Sequence, residues 1–207
     1  MTPRLIWTAV AGAAMALAVV LAIGIAELPK NGASGPSGGS QTQPSPLTRS
    51  AMQARLAGSP AVLAALHARG GELLELGGGT SAWQTQLKTL KGWPLVVNKW
   101  ASWCVPCQGE RAVFQQASTS WGRRVAFLGL DSGDTSRSDA AAFLKATPVS
   151  YPSYYDGSGT LGRAVTDSSF TPVTVFVAKN GSKFIHQGPY TTTKALERDI
   201  ERYAVGA

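Results

Sequence analysis

Residues Lys99 to Glu110, KWASWCVPCQGE, hold both cysteines of the 207-residue chain, three positions apart. Just before them, Leu95 to Trp100 (LVVNKW) is a mostly apolar run of the kind a buried central strand shows. Cys104 then falls a few residues past a strand, at the start of a helix expected to reach about Ser120. Free amides and the dipole at a helix N-terminus favour an anion, so the Cys104 thiol is expected to ionise easily. Cys107 lies one helical turn further on. It is expected to be the more buried sulfur, placed to attack a mixed disulfide formed at Cys104. Pro106 lacks an amide hydrogen and fixes its own φ, which narrows the ring that the two sulfurs close.

A structural staple is a poor reading, because a bridge over so short a loop removes little unfolded-chain entropy. A zinc site wants further ligands. The chain offers no third cysteine and only His67 and His186, far apart in sequence, so no metal is expected. Thiol-disulfide exchange is the chemistry left.

Outward from the motif, helical and strand patterns alternate. Ser59-Pro60 signals a helix start with Ser59 as cap, and Gly70-Gly71 its end near Arg69. Glu72 to Leu76 reads as a short strand, and Trp83, Leu87 and Leu90 recur at helical spacing. Beyond the cysteines, Val125 to Asp131 reads as a buried strand, Ser138 to Ala146 as helix and Tyr151 to Tyr155 as strand. Val173 to Ala178 and Lys183 to Gln187 form a hairpin about Asn180-Gly181, and Thr192 to Tyr203 a last helix. The alternation predicts an α/β fold, a central mixed sheet flanked by helices.

The ends of the chain differ in character. Leu5 to Ala26 is uncharged, with Thr8 its only polar side chain, and as a helix of roughly 33 Å it would cross a bilayer. Residues 1–28 are therefore expected to be an N-terminal transmembrane anchor, or else a cleaved signal peptide. Arg4 and the amino terminus place the basic end inside and the rest of the chain outside the cell membrane. Residues 29–58 include the Gly/Ser/Pro/Gln tract Asn31 to Pro46 and are expected to be a flexible linker. Residues 59–207 are expected to be the folded, thiol-bearing domain. The net charge of +7 is dispersed, with no basic run longer than Arg123-Arg124, so nucleic acid is not an expected partner.

Trp100-Ala-Ser-Trp-Cys-Val-Pro-Cys107 matches the WAxWCxPC signature. The segment resembles the thioredoxin superfamily and, within it, the membrane-anchored TlpA/ResA-like thiol-disulfide oxidoreductases. Glu110, three residues after the second cysteine, stands where that branch often has an acid. Phe170-Thr171-Pro172-Val173 is similar to the family's cis-proline loop, and about Thr135 to Asp156 to its αβ insertion ahead of that loop. The resemblance implies a redox-active centre with Cys104 as attacking thiol and Cys107 as resolving thiol. Glu110 then handles a proton at Cys107, and Trp103, Val105, Pro106, Thr171 and Pro172 meet the substrate.

The resemblance implies exported thiol or disulfide proteins as substrates, apocytochrome c among the candidates, and no cofactor. It also implies a membrane electron donor of the thiol-disulfide type. Two other functions compete: a peroxidase of related fold, and a docking domain with an inert disulfide. The sequence departs from the family in four places. Asn98 stands where thioredoxin has a buried aspartate, and Lys99 where many relatives have an aromatic residue. Ala112 replaces a common proline, and Val105 a frequent glycine or acid. An ammonium near a central strand has to snorkel, pair or lose its charge.

Overall fold

The computed structural model describes residues 44–206. The expected anchor, the first half of the expected linker (29–43) and Ala207 lie outside the described residues. Among the described residues, no helix is long and apolar enough to cross a membrane.

The six strands are β1 (Leu73–Leu74), β2 (Leu95–Trp100), β3 (Ala126–Ser132), β4 (Ser153–Asp156), β5 (Val173–Val177) and β6 (Lys183–Gln187). They form one sheet in the order β1-β4-β3-β2-β5-β6. β1 to β4 run parallel, joined by helical crossovers, while β5 and β6 run antiparallel as a hairpin edge. The sheet is mixed and flanked by helices.

β2 and β3 are buried at every position, which explains their apolar runs. Alternation along β2 sends Val97 to one face and Val96 to the other. On the first face, Val97 packs with Leu63, Trp83, Leu128 and Val175. On the second, Val96 packs with Phe114, Phe127, Tyr151, Phe176 and Leu196. A third cluster gathers both cysteines with Trp100, Ala101, Ala140 and Leu144.

Among the described residues, seven α-helices surround the sheet: α1 (Arg49–Leu56), α2 (Ala61–Ala68), α3 (Gly79–Thr89), α4 (Val105–Trp121), α5 (Arg137–Ala146), α6 (Thr160–Val165) and α7 (Thr193–Asp199). α5 and β4 are the expected αβ insertion, placed ahead of the loop that carries Pro172.

Four local expectations are corrected. Arg49–Leu56, inside the expected linker, is a helix, because Thr48 caps it at Ala51 N (3.2 Å) and Met52 and Leu56 bury against α4. The residues before it are also held: Gln115 bonds both backbone groups of Leu47, and Gln116 donates to Ser45 O at 2.8 Å. Ser59 does not cap α2; Pro60 occupies the cap position, and the Ser59 hydroxyl donates back to Leu56 O at 2.6 Å. α6 was not expected, being one short turn after Gly159 with little periodicity to read. Finally, α7 stops at Asp199 and a π-helical turn, Ile200–Val205, completes it.

Candidate active site

Cys104 and Cys107 form a disulfide. Cys104 is the N-cap of α4, and its Sγ accepts the Cys107 amide at 3.2 Å. Backbone therefore aims a donor at the first sulfur, where a thiolate would gain most from it. Cys104 is 3% exposed and Cys107 fully buried, so the outer sulfur is the one a partner meets first.

The turn between β2 and α4 is pinned from outside the motif. Asp134 accepts from both the amide and the hydroxyl of Ser102, at 2.6 and 2.7 Å. Gln108 Nε2 donates to Ser102 O at 2.9 Å, and the Trp103 indole donates to Gly133 O at 3.3 Å. Gly133 takes φ +104°, a backbone region that side chains disfavour, and so turns that carbonyl toward the indole ring. Trp100 Nε1 reaches Ser153 Oγ at 3.3 Å, tying the end of β2 to β4.

The Thr171–Pro172 peptide is cis. β5 pairs with β2 in the register Lys99↔Val173, which sets Pro172 beside the end of β2 just before the cysteine turn. Around the disulfide the surface is apolar and open: Trp103 is 62% exposed, Val105 72% and Phe170 70%. Pro106 is exposed with them, Thr171 is half-buried and Pro172 is buried. Large exposed apolar groups gathered at one edge mark a contact surface.

Glu110 lies one turn after Cys107 on α4, fully buried. Asn98 Nδ2 donates to one carboxyl oxygen at 2.8 Å, and the Tyr190 amide to the other at 3.1 Å. Burial pushes Glu110 up to about 7, against the pull of those two bonds and of Arg111. A carboxyl near that value can give or take a proton at neutral pH. Among the described residues Asn98 Oδ1 has no hydrogen-bond partner, so an amide flip offers the protonated acid an acceptor. Arg111 beside it is buried over the rings of Trp100 (5.6 Å) and Phe143 (5.1 Å) and donates to Thr147 O, fixing α5 over the disulfide.

No protein-family model matches the chain. Among solved structures it is similar to Mycobacterium tuberculosis DsbF, in mixed oxidized and reduced forms. Identity is 26%, covering 56% of this chain and 84% of that one, with a TM-score of 0.52. A thiol:disulfide interchange protein DsbE from Chlorobium tepidum aligns at 23% identity over 57% of this chain and 84% of that one, TM-score 0.52. In sequence, the thioredoxin-like protein YneN of Bacillus subtilis (strain 168) is 23% identical over 120 residues, 57% of this chain and 69% of its own.

The fold is thioredoxin-like. It carries a CxxC disulfide in a fold of the thiol:disulfide oxidoreductase type, consistent with the TlpA/ResA-like signature around the cysteines.

In this thioredoxin-like frame, several side chains that pattern reading did not single out stand at the site. Phe170, given no role of its own in the cis-proline loop by the sequence, is the most exposed aromatic ring among the described residues. Asp134 holds the cysteine turn from the loop after β3. Asp131, at the end of β3 opposite Trp100, is fully buried. Burial first, then contact with Asp134 and the charge of Asp156, push its carboxyl up to about 9, so it is protonated at neutral pH. The one signal for these acids was an aspartate ending a strand of otherwise apolar residues. Lys99, noted as an oddity, is 5% exposed and donates to Ser168 O at 2.7 Å.

Proposed function

We propose that this protein is an extracytoplasmic thiol-disulfide oxidoreductase that reduces disulfides of exported proteins, with apocytochrome c among its candidate clients. The observation that carries the reading is the Cys104–Cys107 disulfide at the start of α4, its outer sulfur facing an amide and rimmed by open apolar side chains. The uncharged run Leu5 to Ala26 supports a location beyond the cell membrane, with the N-terminus cytoplasmic and the domain outside.

In the proposed cycle both cysteines begin as thiols. Cys104 loses its proton and attacks one sulfur of a client disulfide docked along Trp103, Val105, Pro106, Thr171 and Pro172. The client disulfide breaks, a mixed disulfide forms, and the displaced client thiolate takes up a proton. Cys107 then gives its proton to Glu110 and attacks Cys104 Sγ. The second client thiolate leaves, and the protein ends as the disulfide. Two electrons pass to the client in all. A dithiol donor in the membrane returns the protein to its reduced form. Glu110, near 7 and one turn from Cys107, suits the proton step.

The test is insulin reduction by dithiothreitol, with the full chain solubilised in detergent. The wild type is expected to accelerate turbidity and Cys104→Ser to abolish the acceleration. Cys107→Ser is expected to accumulate mixed disulfides in cells that dithiothreitol releases. No acceleration by the wild type, or equal acceleration by Cys104→Ser, overturns exchange and leaves an inert docking domain.

A further inference from the structure

Lys99 is the one charged side chain of the central strand, and its position is unusual in energy as well as in sequence. It lies on the face of β2 that meets α6, its stem passing Gly162; a Cβ there would come within 3.2 Å of Lys99 Cε and collide with Ser132 Oγ. The missing side chain at Gly162 is what leaves room for the lysine. Among the described residues the ammonium makes one hydrogen bond, to Ser168 O, and no ion pair. Burial pulls its pKa below the usual lysine value, and nearby Arg163 adds to that, while Asp156 opposes it. Asp156 is already engaged, accepting from Ser132 Oγ (3.2 Å), Ser158 Oγ (3.3 Å) and Gly162 N (2.7 Å). A cation on a central strand that pairs with no carboxylate among the described residues can receive an incoming anion.

The lysine is not sealed in. It lines an open cleft of about 380 Å³ together with Trp103, Ser132, Arg163, Ser168 and Thr171. Trp103 and Thr171 belong to the rim of the disulfide, so the cleft continues the surface on which a client would lie. Arg163 brings a second cation, its guanidinium held by Ser158 O and Thr160 Oγ at 3.3 Å each. Asp167, exposed on the same wall, is the cleft's acidic group, and it pairs with neither cation among the described residues.

We infer that this cleft is a specificity subsite that takes the carboxylate of an acidic residue near the client's cysteine, bound by Lys99 with Arg163 at its mouth. The assignment rests on the oxidoreductase reading above and names the client feature that reading leaves open. The charge pair forms at a partly enclosed site, where it is screened less than on open surface. Because Lys99 also holds Ser168 in the loop before Pro172, an occupied cleft ties the client to the same loop that flanks the disulfide.

The test uses two sets of peptides and the full chain in detergent. The first set contains a disulfide, with Glu, Gln or Lys placed in turn at each position flanking one cysteine. At one or more positions the Glu peptide is expected to exceed the Gln peptide about tenfold in kcat/KM, with Lys below both. Raising the salt to molar strength is expected to shrink the ratio. In Lys99→Gln the ratio is expected to fall within about twofold of unity, and Arg163→Ala, at an exposed site that leaves folding intact, to reduce it partway. The second set replaces both peptide cysteines with serine and follows binding by quenching of tryptophan fluorescence. It reads the subsite without any exchange step. A Glu preference in binding that Lys99→Gln removes supports the subsite even where reduction fails, and that failure then counts against the reductase reading alone. Equal binding and equal reduction of Glu and Gln peptides, or a preference unchanged in Lys99→Gln, overturns the subsite.

Discussion

Glu110 is a carboxylic acid on the inner face of a helix, and its chemistry follows from where that face points. With a carboxyl at about 7 instead of the ordinary 4.5, the folded protein keeps a proton between those values that the unfolded chain has lost. Folding stability therefore falls as pH rises from about 4.5 to 7, by about 3 kcal/mol, and this contribution is constant above that range. Glu110→Gln has nothing to titrate and can still accept from the Tyr190 amide while donating to a flipped Asn98 Oδ1. In urea melts at pH 4.5 and 7.5, the variant is expected to gain about 3 kcal/mol on the wild type between the two values. Parallel profiles would show an ordinary acid. The identity of Glu110 was legible in the sequence from its spacing after Cys107. Its partners were not, because Tyr190 lies 80 residues away and meets it only through the fold.

At the scale of elements, α4 and α1 show how local signals succeed and fail. The start of α4 was readable because strand, cysteine cap and first-turn proline are neighbours in the chain. α1 was not, since Arg49–Leu56 is polar on most of its surface and only two side chains commit it to the core. Leu56→Ala is expected to lower stability by about 2–4 kcal/mol, through lost burial and the cavity left against α4. Arg55→Ala, one position away and exposed, is expected to change it by less than about 0.5 kcal/mol. Chemical denaturation of both variants checks the pair; two neutral results would mean that this segment is a detached tether. α6 escaped notice for a related reason, being too short to show a period, yet its Gly162 makes the space that Lys99 fills.

For the whole molecule, two clusters pressed on opposite faces of one sheet set the stability. Trp83, fully buried on α3, meets Tyr154 of β4 edge-on at 5.5 Å and joins α3 to the sheet. Its indole N–H has no partner among the described residues, so its contribution there is packing. Trp83→Ala is expected to cost about 3–5 kcal/mol, a large share of what a domain of this size holds in reserve. Trp83→Phe, which keeps an aromatic ring and loses no hydrogen bond, is expected to cost clearly less. Thermal unfolding followed by circular dichroism ranks the two; an equal loss would point to the N–H and against packing.

The sequence by itself determined the paired cysteines after a buried strand, the alternation that makes a mixed sheet flanked by helices, and the hairpin at Asn180-Gly181. All of these are written in short periods, caps and turn residues, whose physics is local. Only the tertiary structure decided that Asp134 grips Ser102 across 32 positions, that Glu110 lies between Asn98 and Tyr190, and that Lys99 opens on the cleft beside Trp103. Burial, and with it the shift of a carboxyl or the isolation of an ammonium, is set by what packs from far along the chain. Neighbouring residues carry no record of it.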